Sequence, residues 1–385
     1  MTLANRVDLA STFRLHSSPT ATKTIYLDFN GHITTRTSWN NHPRIGGVNF
    51  ETPAFSTDAD TTKFSDAELE RIQYIWQRVA EDFAPFDVDV TTEDMGEDAL
   101  ANTGGTDQEW GTRAAIGGSN KDWFKGSAGG IAYLNVFGMT SAGPAFVFAK
   151  NLGNGNEKHT AEAISHEVGH NLGLCHDGCP PAAYFKGHGG GKTGWAPIMG
   201  SSYYKPVTQW SQGEYKGADN KQDDIATIAS ARNGLRLRPD DFGDTTAHAK
   251  PLNGPQINQF GIITTRKDTD CFSFTTGTGI VNISIANATQ AWVRDDSDNY
   301  SSTLLVGRSP NLDIAASLFA ADGTLIATSN PLNGLGASFK RELQAGTYYL
   351  MVDGVGFGDP ATNGYSDYGS LGGYLVSGSV IEANT

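Results

Sequence analysis

The chain has three cysteines in 385 residues, Cys175, Cys179 and Cys271, too few for a disulfide scaffold and spaced unlike a zinc ribbon. No stretch approaches the roughly 20 apolar residues that cross a bilayer as a helix. Basic residues are outnumbered, 28 Lys and Arg against 42 Asp and Glu, for a formal charge of -14. Such a surface repels phosphate backbones, which excludes nucleic acid as the expected partner. The N-terminus, Met1 to Asp8, has no basic start leading into an apolar run, so no signal peptide is visible. Taken literally, that describes a cytosolic protein. The alternative is a leader already removed, with Met1 added for expression, and the motifs below favour it.

Glycine is abundant instead, at 46 residues, and predicts loops and short strands over long helices. The length predicts two domains, and a monomer is expected. Thr24 to Phe29 is β-branched and aromatic and ends at Asn30-Gly31, so it reads as a strand into a turn. Ser65 to Phe83 reads as a helix: Ser65 with Glu68 forms a capping box, and Leu69, Ile72, Ile75, Trp76, Val79 and Phe83 recur at helical spacing. Further strands are expected at Phe86–Val90, Thr112–Ile116, Gly130–Val136 and Ala145–Ala149, and further helices at Thr160–Leu172 and about Lys221–Asn233. Residues 1–235 are therefore expected to form an α+β domain and 236–255, polar with Pro and Gly, a linker. From 256 to 385 short alternating runs such as Phe272-Ser273-Phe274 and Thr347 to Val352 predict an all-β sandwich.

The chemistry concentrates in His166-Glu167-Val168-Gly169-His170-Asn171-Leu172-Gly173-Leu174-Cys175-His176-Asp177. His166 and His170, four apart on a helix, project from one face and can share a metal ion. Taken alone, such a pair is often only a solvated helix face. Gly173 changes that reading, because a residue without Cβ permits a left-handed turn that swings the chain round to present His176. Three imidazoles suit one zinc ion and leave its fourth position open, as catalytic sites do. Glu167 is placed to reach a water there.

This string resembles the metzincin metallopeptidases, matching H-E-x-x-H-x-x-G-x-x-H in full, and Asp177 narrows the likeness to reprolysin (adamalysin)-like members. The resemblance implies a twisted mixed sheet with a zinc-binding helix. It makes His166, His170 and His176 ligands, Glu167 the general base and Met199, in Ala196-Pro197-Ile198-Met199-Gly200, a hydrophobic floor. Asp177 is expected to make local structural hydrogen bonds. One departure is Ser201, where some metzincins carry a helper Tyr. Tyr203 and Tyr204 do not match that spacing and are expected to pack in the core or cleft wall; His188 is expected to serve its glycine-rich loop. Gly129–Leu134 is the candidate edge strand for an extended substrate.

The second half resembles a bacterial pre-peptidase C-terminal (PPC) domain, on Asp240-Asp241-Phe242-Gly243-Asp244-Thr245, Asp268 to Phe274 and Ala345 to Leu350, with Cys271 where an aromatic is usual. That implies export, a structural Ca2+ ion as an option, and contact with matrix or surface polymers. Cys175 and Cys179 are close enough to bridge, leaving Cys271 as a packed thiol. The expected activity is secreted, zinc-dependent endopeptidase action on polypeptides. The alternatives are an adhesion protein with a vestigial protease domain and a zinc hydrolase of non-peptide amides.

Overall fold

Helix α1, Asp66–Asp82, forms where its capping box predicts, with Ser65 and Glu68 exchanging side-chain-to-backbone bonds. Its apolar stripe, Ile72, Ile75, Trp76 and Val79, is fully buried, and the Trp76 indole N–H donates to Val90 O at 2.8 Å. Helix α2, Glu157–Asn171, starts on Asn156, whose side chain accepts from His159 N–H. Both helices share one core with the central sheet. The structure, a computed structural model, describes residues 3–382.

The central sheet runs in the order 15–16, 89–91, 23–28, 110–116, 145–147 and 130–131. Strands Lys23–Asp28, Asp89–Thr91, Trp110–Ile116 and Ala145–Val147 run parallel to one another, while Leu15–His16 and Gly130–Ile131 flank them antiparallel. The first half is thus a mixed α/β domain. The expected strand over 130–136 ends at Ile131, because the amides of Asn135, Val136 and Phe137 turn away to cap the last carbonyls of α2 at His170 and Asn171. The third expected helix is reduced to α3, Asp224–Ile228. The Asn233 amide donates to the carbonyls of Leu172, Thr227 and Ile228, and so takes groups that a longer helix would have used itself.

In the second half two layers, antiparallel except where 250–251 pairs parallel with 269–276, enclose a single core that includes Phe272, Ile283, Leu350, Tyr374 and Val376. One layer orders 256–263, 372–379, 279–287 and 337–343; the other orders 250–251, 269–276, 346–354, 314–320 and 325–329. This is a β-sandwich, with buried and outward residues alternating along Gly346–Gly354. Residues 236–255 are held at both ends: Arg238 N–H donates to Pro85 O at 2.8 Å, and Lys250–Pro251 pairs with Phe272–Ser273.

The two halves share a strand. Gly279–Arg294 begins in the sandwich, and its far end pairs Val293 and Trp292 with Leu15 and His16 of the central sheet. Tyr300–Val306 folds back on it as a hairpin. Glu81 and Asp82 at the end of α1 complete the seam, taking bonds from Thr289, Arg308 and Asn311.

Candidate metal centre

Helix α2 ends in a Schellman turn: Gly173 N–H bonds to His170 O and Leu174 N–H to Gly169 O, both at 2.9 Å. Gly173 sits at φ +104, a region side chains rarely adopt, and an added Cβ would also strike Asn135 Oδ1. The chain reverses there and brings His176 beneath His166 and His170. One nitrogen from each of the three rings lies within 4.8 Å of the others. The His170 and His176 Nε2 atoms are 3.0 Å apart. Two ligands of one tetrahedral zinc would stand about 3.3 Å apart, so this spacing fits a shared ion.

The outer nitrogens are already committed. His166 Nδ1 lies 3.0 Å from Ile198 O and His170 Nδ1 2.7 Å from Leu174 O, which fixes Nδ1–H as donor and leaves each Nε2 lone pair facing inward. Burial pushes His166 down to about 3 and His170 to about 4, and lowers His176 as well, so the rings are held neutral as metal ligation requires. The residues present fit zinc.

Glu167 lies beside them, and burial raises its carboxyl to about 8. A cation held by the three imidazoles acts in the opposite direction and favours the carboxylate. Gly130 makes room for it: a Cβ there would stand 2.6 Å from Glu167 Cγ. The edge strand and the glutamate are therefore in direct contact.

Over residues 57–177, from just before α1 to the end of the histidine string, the sequence matches the reprolysin-like metallo-peptidase family M12B. No curated protein matches the sequence. Among solved structures, the pre-peptidase C-terminal domain of a collagenase from Bacillus anthracis is similar at 16% identity and a TM-score of 0.22, covering 34% of this chain and 95% of that chain.

The remaining residues singled out in the sequence lie around or near the cluster. Met199 is fully buried in the core beneath it, and its carbonyl accepts from Asp177 N–H at 2.8 Å. Asp177 is buried, and desolvation together with Asp219 raises its carboxyl to about 7. Tyr203 packs against the core and meets His159 edge-on, whereas Tyr204 is 83% exposed and forms no part of a buried wall. His188 binds Gly364 O at 2.6 Å and ties its loop to the sandwich. Cys175 and Cys179 are both free thiols, contrary to the bridge their spacing suggested; Cys179 Sγ faces Lys216 O at 3.6 Å. Cys271 is a buried thiol, as expected.

Sequence reasoning missed Tyr184, whose ring lies 4.4 Å from that of His176. No motif marks it. The only available signal was its position inside the loop linking His176 to Met199.

Proposed function

We propose that this protein is a secreted zinc endopeptidase, with residues 1–235 as its catalytic domain and 256–385 as a PPC-like accessory domain. The observation that carries the reading is the set of three inward-facing imidazole nitrogens beside a buried Glu167 that no donor among the described residues satisfies. His166, His170 and His176 would hold the zinc, with Gly173 and Met199 shaping the turn and the floor. Zinc bound there acidifies water and polarises a carbonyl. Glu167 takes the proton as the water oxygen bonds to the scissile carbon, then delivers it to the nitrogen as the C–N bond breaks. The sheet ends at Gly130–Ile131 next to Glu167, so an extended polypeptide pairing with that edge brings its backbone to the base with little demand on its side chains.

Casein should be cut internally by the purified protein, with cleavage lost on chelation and restored by zinc. Full activity in the chelated, metal-free protein would sink the proposal. Cleavage confined to small amides would favour the non-peptide alternative.

Calcium belongs where the linker meets the accessory domain in this reading. Asp240, Asp244 and Asp268 can converge on one cation, as can Asp240, Asp241 and Asp270. Asp268 Oδ1 and Asp270 Oδ1 are buried without a partner, and burial together with neighbouring carboxylates raises Asp241 to about 7 and Asp270 to about 9. A cation relieves both penalties. Calcium should raise the melting temperature of the wild type and not of Asp240→Asn, the residue common to both groups; an equal rise in both proteins would remove the assignment.

A further inference from the structure

The loop between His176 and Met199 crosses the mouth of the histidine cluster, and one of its side chains is not explained by packing. The Tyr184 ring lies 4.4 Å from the His176 ring and 6.0 Å from the His166 ring, yet the residue is 42% exposed. Its hydroxyl makes no hydrogen bond among the described residues. Tyrosines with structural roles in this chain do find partners: Tyr215 donates to Gly178 O, Tyr365 to Asp313 and Tyr368 to Asp223.

The backbone behind Tyr184 is rigid. Phe185 N–H donates to Asp177 O at 2.7 Å, and Phe185 O accepts from Ser201 N–H at 2.8 Å. The Phe185 ring stacks on Tyr215 at 4.1 Å with 3° between the planes. Asp177 follows the third histidine and Ser201 lies two residues beyond Met199, so the loop is fastened to both sides of the site. Ser201 thus anchors the segment that carries Tyr184. The other nearby phenols are less well placed: Tyr203 is packed against the core and Tyr204 points to solvent.

We propose that Tyr184 is a catalytic residue, its phenol donating a hydrogen bond to the scissile carbonyl oxygen as negative charge builds there. This rests on the peptidase reading above and deepens it. A donor fixed in advance on rigid backbone strengthens its bond as the charge grows and needs no reorganisation at that moment. No proton leaves the phenol; it is a donor throughout, while Glu167 carries the transferred proton.

The test uses the full-length, zinc-loaded protein and a peptide substrate. In Tyr184→Phe, kcat should fall about 100-fold, the scale of losing one oxyanion donor. KM, bound zinc and melting temperature should stay unchanged. A phosphinic peptide that mimics the transition state should lose affinity by the same factor, whereas a product peptide should not. Wild-type turnover in Tyr184→Phe, with Glu167→Gln inactive, overturns the role of Tyr184 alone. Loss of zinc or of melting temperature in Tyr184→Phe also overturns it, because the role would then be structural. Activity in both variants overturns the peptidase reading itself.

Discussion

Glu81 at the end of α1 and Glu167 in the middle of α2 are each 8% exposed, and their surroundings differ completely. Glu81 lies at the seam between the two halves and accepts from Thr289 Oγ1 at 2.5 Å, from Arg308 N–H at 2.8 Å and from Ser309 N–H. Gln77 Nε2 adds a further bond at 3.0 Å. Glu167 has no such donors among the described residues, and burial sets its raised pKa. Equal burial therefore has two meanings. A carboxylate surrounded by donors joins elements, whereas one left without them is costly to the fold and available to chemistry.

The largest effect should come from Glu167→Gln. It removes the proposed base, and kcat/KM should drop by about 10³-fold or more. Zinc should stay bound, and the melting temperature should hold or rise, because a buried carboxyl without partners has been replaced by a neutral amide. A melting temperature that falls as far as that of the corresponding Glu81 variant would break the comparison.

Glu81→Gln should do the reverse. Glutamine turns an NH2 group toward the Arg308 and Ser309 amides where the carboxylate accepted from both. We expect a loss of about 2–4 kcal/mol in urea unfolding, the scale of disrupting a buried polar network. Turnover per folded molecule should be unchanged, because none of these partners touches the histidine cluster. A loss under about 0.5 kcal/mol, the level of an ordinary surface substitution, would show that the seam does not depend on Glu81.

The same contrast explains what the sequence made legible. The four residues proposed to carry the chemistry lie within eleven positions, on one helix and the turn that follows, so local geometry alone brings them together. Helix α1 was equally clear, because its capping box and apolar stripe are local signals. The seam is built differently. Gln77 reaches Val306 O at 2.6 Å across 229 positions, and two of the four donors to Glu81 are backbone amides, which leave no mark in composition or spacing. The strand at 279–294 looked like sandwich alone, since alternation reports that one face is buried but not which sheet the other end joins. Tyr184 was hidden for a similar reason: an aromatic residue in a glycine-rich loop has no period, and only the bonds from Asp177 and Ser201 place it over the cluster.

The smallest effect compares histidines across the two regions. His16, at the seam, is 1% exposed, with Nδ1 2.6 Å from Asp89 Oδ2 and Nε2 2.8 Å from Glu93 Oε2. Arg294 pairs with Glu93 from the shared strand, and the Tyr300 ring meets the imidazole edge-on. Burial lowers the His16 pKa, but the hydrogen bonds and charges of the two carboxylates outweigh it, leaving the value above 6.5. The folded state therefore favours the charged ring, and this contribution to stability is complete below pH 6.5 and lost as pH rises through the folded value. His166 and His170 run the other way in metal-free protein. Their folded values near 3 and 4 lie below 6.5, so their contribution is present above pH 6.5 and lost as pH falls toward those values. In urea unfolding of the metal-free protein, the stability gap between wild type and His16→Gln should thus be widest near pH 6 and close as pH rises. The gap for His170→Gln should narrow as pH falls. A His16→Gln gap that stays constant from pH 5.5 to 9 would mean that His16 is not charged at the seam, and the contrast between the regions would then rest on the two glutamates alone.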